Sequence, residues 1–241
     1  MDQPALILAA KLGDISEVTK LLKSKPDLNE SNSSGATALI VAAEKNHFEI
    51  IKLLAEAGAD LNSETKMGGT ALNKAAENGN IEMMQFLFKK GVEVGDLALI
   101  VAARSGNIEA VKLLVEKGAN VDAQQRWGHT ALMLAAKNGH YEVVKFLISE
   151  GAKVKLRDKN DDTAMMIATE NDQEDIAILL KRAGAVTEKK IKKEKPAPIE
   201  PEDIDDDTDD TDDTDDDMID DSDVDDLVSD DDAPDELELD D

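Results

Sequence analysis

The chain has no cysteine, which excludes a disulfide scaffold, a thiol nucleophile and a thiolate metal site. Its three histidines, His47, His129 and His140, leave little from which to build a metal cluster. Aromatic residues are scarce: one Trp, one Tyr and four Phe, all before position 150. A core must therefore be built from Leu, Ile, Val, Ala and Met. No apolar run approaches the roughly 18–20 residues of a membrane-spanning helix. The first residues, Met-Asp-Gln-Pro-Ala-Leu-Ile-Leu, lack the basic flank of a secretory signal. Together these features point to the cytoplasm, with the nucleus open to a eukaryotic source and export as an effector to a bacterial one. Catalytic signatures are also missing. There is no phosphate-binding Gly-rich loop, His-Glu-x-x-His pair or Gly-x-Ser-x-Gly elbow. The expectation is a non-enzymatic protein without a cofactor or metal.

Basic residues are lacking in one place. The 241-residue chain has 54 acidic and 27 basic residues, for a net charge of −27. From Glu200 to Asp241 there are 26 acidic residues and no basic one, so the rest of the chain is near neutral. This balance argues against nucleic-acid binding through phosphates. Residues 187–201, with Lys189–Lys193 and three prolines, read as an extended linker. The lysines there are either a charged continuation of the preceding helix or a localisation signal. Residues 202–241 combine low hydropathy with dense like charge and read as a disordered acidic tail. An EF-hand reading fails, because the run from Asp205 has Asp210 and Asp216 where Gly and Glu are needed. Thr214, Ser222 and Ser229 each precede an Asp by three residues, as in an acidophilic kinase site.

Against these absences stands a repeat. An Ala-Leu…Ala-Ala signature recurs from Ala5, Ala38, Ala71, Ala98, Ala131 and Ala164. Its second residues, Leu6, Leu39, Leu72, Leu99, Leu132 and Met165, are spaced by 33 residues except for one interval of 27. Such a period signals a solenoid. The first half of each unit reads as a short helix opened by Thr, whose hydroxyl caps free N–H groups. Its Ala pair permits close packing. The second half, as in Tyr-Glu-Val-Val-Lys-Phe-Leu-Ile from Tyr141, has the spacing of an amphipathic helix. Glycines such as Gly106 and Gly118 close the helices. The units run approximately over 1–29, 30–62, 63–94, 95–122, 123–155 and 156–186. Pro4 suits a first helical turn, and Asp172–Asp175 put acids where a helix dipole favours them.

The pattern Gly-His-Thr-Ala-Leu-Met-Leu-Ala-Ala-Lys-Asn-Gly-His at 128–140, with Gly-Ala-Asp-Leu-Asn at 58–62, resembles the ankyrin repeat. The resemblance implies an all-α solenoid of helical hairpins joined by projecting β-turn fingers. Two departures stand out. The family's Pro is Ala, and its His is Ile40, Asn73, Met133 or Met166, which exchanges a Thr–His hydrogen bond for apolar packing. The 27-residue interval lacks six residues corresponding to Asn62–Met67. The chain there runs through Val94-Gly95-Asp96-Leu97, with Leu97 in place of Thr. A gap in the finger row is expected between the third and fourth repeats.

The resemblance also implies a monomeric scaffold or adaptor that binds proteins through finger tips and the concave face of the first helices. Carried onto this chain, the contact positions include Lys66, Met67, Arg126, Trp127 and His129 on fingers, and Glu77, Arg104 and Lys137 on first helices. Charges alternate along this set, so no groove of one sign is expected. Trp127, the only tryptophan, stands at a finger tip with Arg126 and His129 beside it. This is a hot-spot composition, unless the indole folds over its own finger. Lys74 interrupts an apolar column of Val41, Val101, Leu134 and Ile167, either snorkelling to water or serving as a polar contact. Asn62, equivalent to Asn29, resembles a substrate of asparaginyl hydroxylation. The alternative function gives the tail the main role, as a polyanion capturing a basic partner in the manner of a histone chaperone or nucleic-acid mimic.

Overall fold

The computed structural model describes residues 4–185; the linker at 187–201 and the acidic tail at 202–241 lie outside the described residues. Within the described residues the chain forms twelve α-helices in six hairpins, the expected all-α solenoid. The helices are α1 (Ala5–Leu12), α2 (Ile15–Lys23), α3 (Ala38–Glu44), α4 (Phe48–Glu56), α5 (Ala71–Glu77) and α6 (Ile81–Lys89). They continue as α7 (Asp96–Arg104), α8 (Ile108–Glu116), α9 (Ala131–Lys137), α10 (Tyr141–Ser149), α11 (Ala164–Glu170) and α12 (Glu174–Arg182). The odd-numbered helices stack in sequence order to form one layer, and the even-numbered helices pack behind them.

Short helices of seven to nine residues are marginal alone, and two features sustain them here. The first is burial. The Ala pairs Ala42/Ala43, Ala75/Ala76, Ala102/Ala103 and Ala135/Ala136 are fully enclosed, so neighbouring backbones approach closely. Behind them Ile50, Ile51, Leu54, Met83, Met84, Leu87, Val111, Leu114, Val144 and Leu147 form a continuous aliphatic core. Between α4 and α6, Phe48 and Phe86 meet edge to face with ring centroids 5.6 Å apart. The second is capping. Thr37, Thr70, Thr130 and Thr163 each accept from the backbone N–H three residues on, as the sequence suggested. At the other end, side chains of the next repeat satisfy the last carbonyls. Asn78 donates to Ala43 and Glu44, and Asn107 donates to Ala76 and Glu77. Asn138 Nδ2 and His140 Nε2 both reach the Arg104 carbonyl, at 2.7 and 2.9 Å. Each such bond ties one repeat to the next while filling the valence of a helix end.

Three local expectations need correction. Asn73 does not exchange polarity for apolar packing: its Nδ2 reaches back to the Gly68 carbonyl at 3.3 Å. Pro4 is the N-cap residue of α1 rather than part of its first turn. Asp96 and Leu97 do not replace the missing finger as a loop. They are helical, and α7 begins after a Gly95 N-cap two residues earlier than α5 or α9 would. With no finger to leave and re-enter, the chain goes directly into the helix.

Candidate protein-binding face

Four fingers project from the described residues, one before each of α3, α5, α9 and α11. Each is a tight turn: the fourth N–H closes onto the first carbonyl in Asn32–Gly35, Thr65–Gly68, Gln125–Gly128 and Asp158–Asp161. Ser31 with Thr37 and Arg157 with Thr163 form isolated antiparallel bridges at the stems. The tips join in pairs. Lys66 N–H donates to the Ser34 carbonyl at 3.0 Å, and Lys159 N–H donates to the Trp127 carbonyl at 3.1 Å. The fourth repeat has no finger, so the row is two pairs with an interval above the start of α7.

The second pair is the more firmly built. Gln124 Nε2 bridges the Gly128 and Arg157 carbonyls. The buried Asp158 carboxylate accepts from Asn160 N–H and Asp162 N–H. His129 places Nε2 3.1 Å from the same carboxylate and Nδ1 3.0 Å from Gln125 Nε2. His129 is therefore half-buried and turned toward the next finger. Trp127 itself does not fold onto its finger. It is 61% exposed, with the Arg126 guanidinium carbon 5.8 Å from its ring centre. Met67, on the other side of the interval, is 77% exposed, and Lys66 next to it is exposed too.

On the first helices Glu44 and Glu77 are engaged in ion pairs, whereas Asp96 and Glu170 are not. Glu77 on α5 is gripped by Lys74 Nζ at 2.9 Å and by Arg104 of the next repeat at 2.6 Å. Partial burial pushes the Glu77 carboxyl up, but these two cations outweigh it and hold its pKa below the ordinary value. Lys74 is therefore a half-buried partner of Glu77 rather than a free contact point, and Arg104 and Glu77 form a clasp between repeats. Glu44 is held by Lys45 and Asp161 by Arg157. By contrast Lys11, Lys66, Arg126, Lys137 and Lys159 have no ion pair among the described residues, against the unpaired acids Glu64, Asp96 and Glu170. Basic side chains outnumber acidic ones among these unpaired charges, and both signs remain on the face, so no groove of one sign results.

Asn62 is exposed, its N–H bonded to Asp60 Oδ1 at 2.9 Å. Asn29 Oδ1, at the equivalent place, accepts from Asp60 N–H, whereas the Asn62 amide has no such partner among the described residues. Among the described residues there is no group of three or more metal-ligating side chains and no helix long and apolar enough to cross a membrane.

A family model described as ankyrin repeats matches residues 6–98 and 99–191. The chain belongs to the ankyrin repeat family. Ankyrin repeats are generally modules of protein–protein interaction, and the fold is typically non-enzymatic. One similar solved chain comes from the structure of the predatory endopeptidase Bd0816 of Bdellovibrio bacteriovorus in complex with the immunity protein Bd3460. It is 30% identical, with a TM-score of 0.66 over 76% of this chain and 99% of that one. An ankyrin repeat domain of Acinetobacter baumannii is 30% identical, with a TM-score of 0.63 over 75% of this chain and 98% of that one. The ankyrin repeat domain of human ASB11 shares the fold at 23% identity, with a TM-score of 0.68 over 78% of this chain and 86% of that one. No curated protein matches.

Proposed function

We propose that this ankyrin chain is a non-enzymatic protein-binding scaffold that recognises its partner through the second finger pair and the adjoining first helices. One observation carries the reading: Trp127 is exposed on a finger whose backbone is pinned by Gln124, His129 and Asp158. A large exposed indole on a rigid support loses little entropy on binding, and Trp with Arg is the composition of interface hot spots. The basic balance of Arg126, Lys137 and Lys159 favours a partner with an acidic contact patch. The likeness to a chain from a peptidase–immunity protein complex supports a role in binding another protein.

The test is affinity capture with the full chain and with Trp127→Ala, followed by calorimetry on each partner identified. The expected loss on Trp127→Ala is about 2 kcal/mol or more, roughly thirtyfold in Kd. Equal affinities would remove the reading. A second reading follows from the run of 26 acidic residues after position 199, which suits capture of a basic partner. Binding of that kind would ignore Trp127→Ala and collapse with rising salt.

A further inference from the structure

The missing finger leaves an unfilled position in an otherwise regular ladder. In each finger pair the tip of one turn offers a carbonyl to the second N–H of the next: Ser34 to Lys66, and Trp127 to Lys159. By the same register, the Met67 carbonyl would face the second N–H of an absent third finger. The Arg126 N–H would face that finger's own carbonyl. Neither group has a hydrogen-bond partner among the described residues. Glycines record the same vacancy. A Cβ on Gly35 would meet Lys66 N at 3.0 Å and Thr65 Cα at 3.3 Å, and one on Gly128 would meet Asp158 Cα at 2.9 Å and Lys159 N at 3.0 Å. A Cβ on Gly68 would meet only Leu97 Cδ1, at 3.4 Å. Leu97, carried there by the early start of α7, forms an apolar floor.

The interval therefore has a backbone acceptor on one wall and a backbone donor on the other. Met67 and Trp127 stand exposed on opposite walls, and α5, α7 and α9 stack without interruption beneath. We propose that this interval is a docking slot for an acidic β-turn segment of another protein, which inserts as a surrogate third finger and completes the ladder main chain to main chain. This is strand-edge addition applied to a row of turns. Charge selects the occupant. At the tips Lys66 and Arg126, one on each wall, have no ion pair, and the unpaired Asp96 lies below them at the start of α7, so a turn bearing its carboxylates at the tip is favoured. Met67, Trp127 and Leu97 would take an apolar side chain between those carboxylates. The proposal rests on the protein-binding reading above and deepens it.

The test uses the full chain and a fluorescein-labelled hairpin peptide of alternating Val and Glu around an Asp-Gly turn, followed by anisotropy. Saturable binding is expected below about 1 mM. Two variants probe the main chain. Arg126 is the second residue of its turn, where Pro is well tolerated. Arg126→Pro therefore removes the N–H and the charge together, whereas Arg126→Ala removes the charge alone. Arg126→Pro should bind about threefold to tenfold more weakly than Arg126→Ala, the range of one hydrogen bond. Inserting Asn-Ser-Glu-Thr-Lys-Met, the residues at 62–67, between Val94 and Gly95 should rebuild the finger and abolish binding, with circular dichroism confirming the fold of each variant.

Equal binding by the Pro and Ala variants overturns the proposal, as does undiminished binding after the insertion. Absence of saturable binding overturns it too. If the full chain fails but chain cleaved after residue 187 binds, the occupant is the chain's own acidic segment and the external partner is wrong. Self-association that the insertion abolishes would make the occupant a second copy, again against the proposal. A partner lost on Trp127→Ala yet retained after the insertion would leave the scaffold reading standing and remove only the slot.

Discussion

Replacing Gly128 with Ala separates two costs that a glycine can hide. Gly128 has φ +81°, and a Cβ there would lie 2.9 Å from Asp158 Cα and 3.0 Å from Lys159 N. Gly118 has φ +90° with nothing within 4 Å of a Cβ. Both substitutions force an L-residue into the left-handed region, at about 1–2 kcal/mol. Only Gly128→Ala also drives a methyl group into backbone, and overpacking of that kind costs about 1–3 kcal/mol more. Gly118→Ala should therefore lose about 1–2 kcal/mol and Gly128→Ala about 2–5. Urea unfolding followed by circular dichroism measures both. Amide exchange gives the local reading: the Lys159 N–H that donates to Trp127 should exchange faster in Gly128→Ala than the global loss accounts for, because the finger pair is prised apart. Equal destabilisation by the two variants would refute close finger approach as the reason for glycine at 128.

Asn107→Ala strips the Ala76 and Glu77 carbonyls of their cap from the next repeat. It should cost about 1–3 kcal/mol, read from the urea midpoint. Leu114→Ala opens a cavity at a fully buried site in α8 and should cost about 2–5 kcal/mol. The Glu77 clasp predicts a pH dependence. Its carboxyl is held below the ordinary value in the folded chain, so its contribution is complete above the unfolded pKa and is lost as pH falls through the folded one. Glu77→Gln should show less acid destabilisation than the parent chain in that range. The difference, smaller than about 1 kcal/mol for so exposed a cluster, should shrink in high salt.

The architecture is legible in the letters because a repeat displays its physics several times over. Leu39, Leu72, Leu99 and Leu132 recur at the same place because each fills the same hole, and the Thr caps recur because each hairpin opens the same way. The six-residue deletion is legible for the same reason, as a break in a period. What the letters do not carry is direction. His129 and Trp127 are two residues apart, yet one is drawn to the buried carboxylate of Asp158, 29 residues on, while the other stays in water. Nothing local distinguishes them; the deciding partner lies in the next repeat. The Glu77 clasp was hidden likewise, since Arg104, one of its two partners, lies in the next repeat. The two extra residues at the start of α7 are not legible because Gly95-Asp96-Leu97 carries no Thr cap. There the strong Leu-Ala-Leu run overrides the weak start signal.

Stability and recognition are divided between different parts of this repeat, which is why a finger could be lost. Hairpin stacking buries Ala and Leu on every first helix, and the fourth repeat keeps all of it: Ala98, Leu99, Ile100, Ala102 and Ala103 are as enclosed as their counterparts. In a one-dimensional array the stability of the stack is close to a sum of such repeat and interface terms. A finger adds to that sum mainly its turn bonds, one bond to the next tip and a glycine contact, all at the solvent boundary. Removing it subtracts little, and Leu97 returns part of the loss by packing under Gly68. The same deletion changes the surface a partner meets far more, by parting one row into two pairs and exposing one donor and one acceptor. A change nearly neutral for folding yet large for shape can accumulate where binding is altered without risk to the scaffold. Restoring the finger should therefore move the unfolding midpoint little while changing what the chain can bind.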